Sequence, residues 1–276
     1  MSTADAAHVA RGTDRFHDGV VDPIYHDLWG DTRHIGIFED PDETVHDAMA
    51  RVTERLGREA GVTADMVVLE AGCGHGAVAR HLSAIHGCRV MAIDTSDLDL
   101  TWGAALTRAA GLADRVRFAW ADLHALPYEN CSFDVYWAQE SFLPARSKHA
   151  ALEEAARVLK PGGRLVLTDL VVRRATAPAD RAVFAEQMSW PEMWDTDDYR
   201  LALCDCGFAV EVEHDWSDGL ALTYGRLRRE LAGRHREFEA RRGRLAVEQA
   251  AASLRLWSTA AEDDKIGWIH LRAKRL

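Results

Sequence analysis

Four carboxylates, Glu70, Asp94, Asp122 and Glu140, each follow closely on a short apolar or β-branched run, the pattern expected of acids gathered at one edge of a sheet. Glu70 stands just ahead of Gly72, Gly74 and Gly76, so Met66–Gly76 reads as a buried strand turning into a nucleotide-binding loop. The glycines remove the Cβ atoms that would hold a ligand off the backbone and permit the dihedrals of a tight turn. An acid at Glu70 is badly placed to cradle phosphate and well placed for a cation or for hydroxyl and amine donors. Asp94 closes the run Cys88–Ile93, about twenty residues past the glycines, where ribose hydroxyls are gripped. Asp122 follows Val116–Ala119 and could accept from an adenine amino group. Any one of these acids alone reads as a helix cap or a solvated loop residue; three at successive strand ends favour a ligand site.

The same loop also fits the G-x-G-x-x-(G/A) dinucleotide fingerprint, so a dehydrogenase remains open at this point. Ligand charge discriminates. A dinucleotide brings pyrophosphate to a helix N-terminus, whereas S-adenosylmethionine brings a sulfonium and an ammonium, which an acid favours. Glu140, after Phe133–Trp137, is the candidate substrate-facing acid, able to accept a proton; the alternative is an acid at a helix start near the dipole. His34, His124 and His149 are candidate bases. Tyr25, Trp190, Trp194 and Tyr224 offer aromatic faces to a product cation, or simply pack. Arg181, Arg226, Arg228 and Arg229 could meet a substrate carboxylate or phosphate, or sit in solvent.

These groups require a scaffold of alternating elements. Val45, Met49, Val52 and Leu56 mark a helix within 42–60 with Asp42 as cap, and Val78, Leu82 and Ile85 mark the helix after the glycine loop. Ser96 caps the next helix, and a further helix runs from about Ser147. Lys160-Pro161-Gly162-Gly163 ends the second of these before a fifth strand, Arg164–Leu170. The βαβα alternation predicts an α/β fold with a doubly wound, mostly parallel sheet. Residues 171–195 are too long for a plain connection and read as a lid. Thr196 caps a helix before the strand Phe208–His214, and residues 221–260 form a two-helix cap insertion ahead of the strand Ile266–Leu271. The domain reading is an N-terminal lid over 1–41 and one domain over 42–276.

With 276 residues, 47% of them hydrophobic, the chain can bury a sizeable core. A net charge of −11 argues against a nucleic-acid partner. No apolar run spans a bilayer and the N-terminus lacks the order of a secretory signal, so a cytoplasmic protein without membrane contact is expected. Five scattered cysteines read as reduced, and no metal site is expected.

Taken together, Glu70-Ala71-Gly72-Cys73-Gly74-His75-Gly76, Asp94, Ala121-Asp122-Leu123, Phe133–Trp137 and the Lys160–Gly163 turn resemble the class I S-adenosylmethionine-dependent methyltransferases over roughly residues 42–215. The resemblance implies a seven-stranded sheet ending in an antiparallel hairpin, with S-adenosylmethionine as cofactor. It implies that Gly72 and Gly74 face the methionine part, with Glu70 beside them, Asp94 the ribose and Asp122 the adenine, with Thr95, Leu123, Gln139, Trp29 and Gly30 completing the cofactor site. Outside that core, Trp29-Gly30, residues 35–37, 137–143, 222–231 and 265–268 look like the sarcosine/dimethylglycine N-methyltransferase branch. That likeness implies N-methylation of a small-molecule amine, with Glu140, Tyr25 and Tyr224 at the acceptor. Geranyl diphosphate C-methyltransferases share the layout, including an acid matching Glu140, so a prenyl diphosphate acceptor remains the alternative, and a non-catalytic cofactor-binding protein a further one.

Overall fold

The computed structural model describes residues 22–30, 32–40 and 42–276. Seven strands, β1 (Val67–Ala71), β2 (Arg89–Asp94), β3 (Val116–Trp120), β4 (Phe133–Gln139), β5 (Leu159–Val172), β6 (Phe208–Asp215) and β7 (Ile266–Arg275), form one sheet in the order β3-β2-β1-β4-β5-β7-β6. The first five run parallel, and β7 lies antiparallel between β5 and β6. The expected doubly wound sheet is therefore present. Its last two strands pair as anticipated, but the whole cap separates them in sequence.

Period-two alternation places the two halves of each central strand in different cores. Val68, Val135 and Trp137 enter one, together with Met49, Val52, Val78 and Leu82; Leu69, Tyr136 and Ala138 enter the other, with Leu152, Ala155, Tyr199 and Leu203. The first core is built by α1 (Asp22–Trp29), α2 (Val45–Glu59) and α3 (Ala77–His86), and the second by α5 (Lys148–Val158) and α7 (Thr196–Asp205). Between β2 and β3 runs α4 (Asp97–Ala109), and α6 (Pro178–Met188) lies in the lid stretch. Three cap helices follow β6, α8 (Ser217–Gly233), α9 (His235–Arg242) and α10 (Arg244–Glu262), one more than the sequence pattern predicts.

The expected Ser96 cap holds and others move. Ser96 accepts from Asp99 N and Ser147, at the expected helix start, from Ala150 N, at 3.2 Å each. Thr44, not Asp42, caps α2, and Asp195, not Thr196, caps α7 in a reciprocal box with Asp198. In both cases the capping side chain accepts from the amide three residues on, Thr44 from Asp47 N and Asp195 from Asp198 N. Ile85 points to solvent instead of joining the face of Val78 and Leu82.

Residues 22–30 and 32–40 fold back over the sheet; residues 1–21, 31 and 41 of the proposed lid lie outside the described residues. Asp27 pairs with Arg242 at 2.9 Å, tying α1 to the cap, and Gly36 N donates to Thr223 Oγ at 3.1 Å. Gly219 allows this crossing, since a Cβ there would stand 2.5 Å from Gly36 O. All five cysteines are unpaired, and no helix among the described residues is long and apolar enough to cross a membrane.

Candidate active site

A cavity of about 950 Å³ opens where β1–β4 end. It lies at the upper end of the range of roughly 300–1,000 Å³ for small-molecule sites, enough for a cofactor and an acceptor side by side. One side is formed by the loops after β1, β2 and β3; the other by residues 25–35, the residues after β4, α6, α8 and α10.

On the first side, Gly72 N and Cys73 N both donate to Ile93 O at 2.9 Å, fastening the glycine loop to β2. Asp94 completes the turn. Its carboxylate accepts from Gly74 N at 2.8 Å, Thr95 N at 2.7 Å and Ser96 N at 3.1 Å, so it shapes the loop as well as facing the cavity. Asp122 accepts from His124 N at 2.9 Å, His124 Nδ1 at 2.6 Å and Arg146 at 3.0 Å. Burial alone would raise this carboxyl, but the two His124 bonds and the Arg146 charge outweigh it and hold the group down to about 2. Asp122 is therefore ionised at neutral pH.

The fit to S-adenosylmethionine can be judged from these groups. Gly74 has a φ of +50° and open space where a Cβ would stand, so a ligand can approach its backbone. Gln139 accepts from Trp137 Nε1 at 3.2 Å, while its buried Nε2, on a residue of the cavity wall, has no hydrogen-bond partner. That orphaned donor suits a ligand carboxylate. Thr95, Leu123, Trp29 and Gly30 also line the cavity.

Glu70 does not. It is buried beneath the loop and absent from the cavity wall. Burial, reinforced by Asp94 and opposed by Arg80 and the Ala79 amide, pushes it up to about 8. Protonated at neutral pH, it offers a cationic ligand no charge, and the discrimination drawn from it in the sequence passes to Asp94. Because its folded value lies above the ordinary 4.5, stability should fall as pH rises from about 4.5 through 8, at up to about 1.4 kcal/mol per unit. Denaturant melts between pH 5 and 8 should show this slope in the wild type and lose it in Glu70→Gln.

On the second side, Glu140 adopts a φ of +50°, rare for a residue with a side chain and placed here at the cavity wall. Its Oε1 accepts from Thr168 Oγ at 2.6 Å and from Trp268 Nε1 at 2.7 Å, and its Oε2 meets His34 Nδ1 at 2.6 Å. His34 O in turn accepts from Trp29 Nε1 at 2.9 Å. Trp29 stands edge-on to both Tyr25 and Tyr224, at 5.8 and 5.6 Å, so the expected aromatic roof is assembled from α1 and α8. Burial raises both phenols, and a hydrogen bond with Ser253 only partly offsets this at Tyr25.

The other aromatic and basic candidates lie elsewhere. Trp190 and Trp194 are not on the cavity wall; they face the buried ammonium of Lys148 at 5.8 and 5.9 Å. Arg226 binds Glu43 O and stacks on Phe38, Arg228 binds Ser258 and Arg181 binds Thr176 O, while none of these nor Arg229 lines the cavity. His149 is also off the wall. Sequence reasoning missed Gln249, Ala252, Ser253 and Leu256, which line it from α10. Their spacing, one helix face carrying a polar pair among small and apolar residues, is the signal that could have found them. Glu59, His214 and His270 converge closely enough to hold a metal ion, but none touches this cavity.

Comparison with known proteins agrees with this geometry. A family model described as a methyltransferase domain matches residues 68–163. The sarcosine/dimethylglycine N-methyltransferase of Halorhodospira halochloris is 30% identical over 251 residues, 90% of this chain and 89% of that one. The glycine/sarcosine/dimethylglycine N-methyltransferase of Actinopolyspora halophila is 28% identical over 98% of this chain, which spans 48% of that longer protein. A solved structure from Galdieria sulphuraria, described as a sarcosine dimethylglycine methyltransferase, superposes with a TM-score of 0.87 at 24% identity, covering 93% of this chain and 98% of the other, a likeness of fold. A nicotinamide dehydrogenase is thereby set aside: the chain belongs to the S-adenosylmethionine-dependent methyltransferases, in the family of the sarcosine/dimethylglycine N-methyltransferases.

Proposed function

We propose that this enzyme methylates the nitrogen of a small amine. The observation that carries the reading is the relationship at 30% identity to a sarcosine/dimethylglycine N-methyltransferase, joined to a cavity whose second side combines a carboxylate, an imidazole and two tyrosine faces. When bound, S-adenosylmethionine supplies a methyl group on a sulfonium: the acceptor nitrogen bonds to that carbon as the carbon–sulfur bond breaks, the electron pair staying on sulfur.

The protein's own task is positioning and exclusion of water. Asp94, Gly74, Gln139 and Asp122 hold the cofactor side, and Tyr25, Trp29 and Tyr224 cover the acceptor. Positive charge passes to nitrogen during transfer, and the faces of Tyr25 and Tyr224 favour it there. A prenyl diphosphate is served less well. It needs several cations, and among the described residues that line the cavity Arg33 is the only arginine or lysine.

The experiment is methyl transfer from labelled S-adenosylmethionine to panels of small amines and prenyl diphosphates. Label is expected in the amines. Label in prenyl diphosphates alone would overturn the reading, and calorimetric binding without single-turnover transfer to either panel would favour a non-catalytic protein.

A further inference from the structure

We infer that His34 is the group that takes the acceptor's proton, and that Glu140 is a positioning residue which fixes the tautomer of that imidazole. The inference rests on the amine reading above, because an ammonium has no lone pair with which to attack until it loses a proton.

Both oxygens of Glu140 are engaged. Thr168 and Trp268 donate to one oxygen, and the other lies 2.6 Å from His34 Nδ1. A carboxylate held by donors has no proton to give, so the ring must donate from Nδ1, which leaves the lone pair on Nε2. His34 is on the cavity wall, and its backbone carbonyl is pinned by the Trp29 indole. The left-handed backbone at Glu140 and the hydrogen bond from its amide to Thr168 O at 2.8 Å fix the carboxylate from the other side. Imidazole and acid are thus each held at two points.

Several of the surrounding titratable groups are committed elsewhere. Tyr25 and Tyr224 are raised by burial, so both remain protonated near neutrality and neither accepts a proton. Arg33 has no lone pair to offer. Among the other imidazoles of the cavity, His75 Nε2 lies 3.0 Å from Asp99, and His26 stands edge-on to the His75 ring. His124 is bound at both nitrogens, to Asp122 and to Ser147 N–H.

In the step itself, a proton moves from the acceptor ammonium to His34 Nε2, the freed lone pair takes the methyl carbon, and the sulfonium leaves as a neutral thioether. Glu140 balances the imidazolium until it returns the proton to water. This division of labour explains why an acid at the cavity wall has both oxygens bonded to other side chains.

The test has an arm that needs no substrate. In protein labelled with 15N-histidine, His34 should show the Nδ1–H tautomer in the wild type and the Nε2–H tautomer in Glu140→Gln, whose amide donates where the carboxylate accepted. In the kinetic arm, His34→Ala should lower kcat on an amine about a hundredfold with unchanged calorimetric affinity for S-adenosylmethionine, and added imidazole should restore part of the rate. A wild-type Nε2–H tautomer, an unchanged kcat in His34→Ala, or a loss that imidazole does not relieve would each overturn the inference. If no amine is methylated by the wild type, the proposed function fails, and the tautomer still decides whether the pair is built as described.

Discussion

Gly72→Val should weaken S-adenosylmethionine binding about a thousandfold, because the loop cannot keep its path around a side chain at this position. Gly72 has a φ of +71°, and a Cβ there would stand 2.4 Å from Ser141 Cβ, an overlap between two short side chains with little room to rotate away. The left-handed backbone costs about 1–2 kcal/mol and overpacking about 1–3, which together approach 4 kcal/mol. The strain falls where Gly72 N and Cys73 N hold Ile93 O, the tie on which the position of Asp94 depends. Calorimetry on the folded variant measures the effect, and binding within tenfold of the wild type would refute it. Gly103 of α4 and Gly76, the N-cap of α3, are similarly crowded, but against the Phe118 ring.

Lys148→Met should destabilise the fold by about 3–5 kcal/mol without touching the cavity. Lys148 Nζ donates to Asp169 Oδ2 at 2.8 Å and to Tyr199 OH at 2.7 Å, and all three side chains are fully buried. Burial draws the lysine down from its usual value, while Asp169 pulls it back up. Removing the ammonium leaves Asp169, whose Oδ1 already lacks a partner, with only the Tyr199 hydroxyl to hold its charge in a medium that cannot solvate it. Replacing both, Lys148→Met with Asp169→Leu, should recover much of the loss, since two apolar side chains leave no charge behind. Equilibrium urea melts give both values; a single-variant cost below about 1 kcal/mol would refute the argument.

This buried triad shows where the sequence stops informing. The glycine loop, the strand-end acids and the Ser96 cap were legible because each depends on a few neighbouring residues. Nothing in the sequence pattern singles out Lys148, and Trp190 and Trp194 read there as aromatic faces for a product cation or as packing residues. The cation–π chemistry assigned to the two tryptophans is present, but the cation is the chain's own lysine. Glu70 shows a related limit: its position beside the loop is local, whereas its burial is set by strands and helices far away in sequence. His34 could be named among several histidines, but its partner lies 106 residues on, a distance no local pattern bridges. The cap helices were foreseen as an insertion, and their lining residues were hidden only because the helix was not divided into faces.

The position of β7 has a consequence for how the protein comes to be competent. Thr168 of β5 pairs with His270 of β7, and Trp268, two residues before, holds the Glu140 carboxylate. Contacts between segments so distant carry a larger loop-closure cost than the pairing of β1 with β2 that fastens the cofactor loop. Catalytic competence in this sense depends on the finished topology, because the acid is held by strands that the cofactor loop does not need.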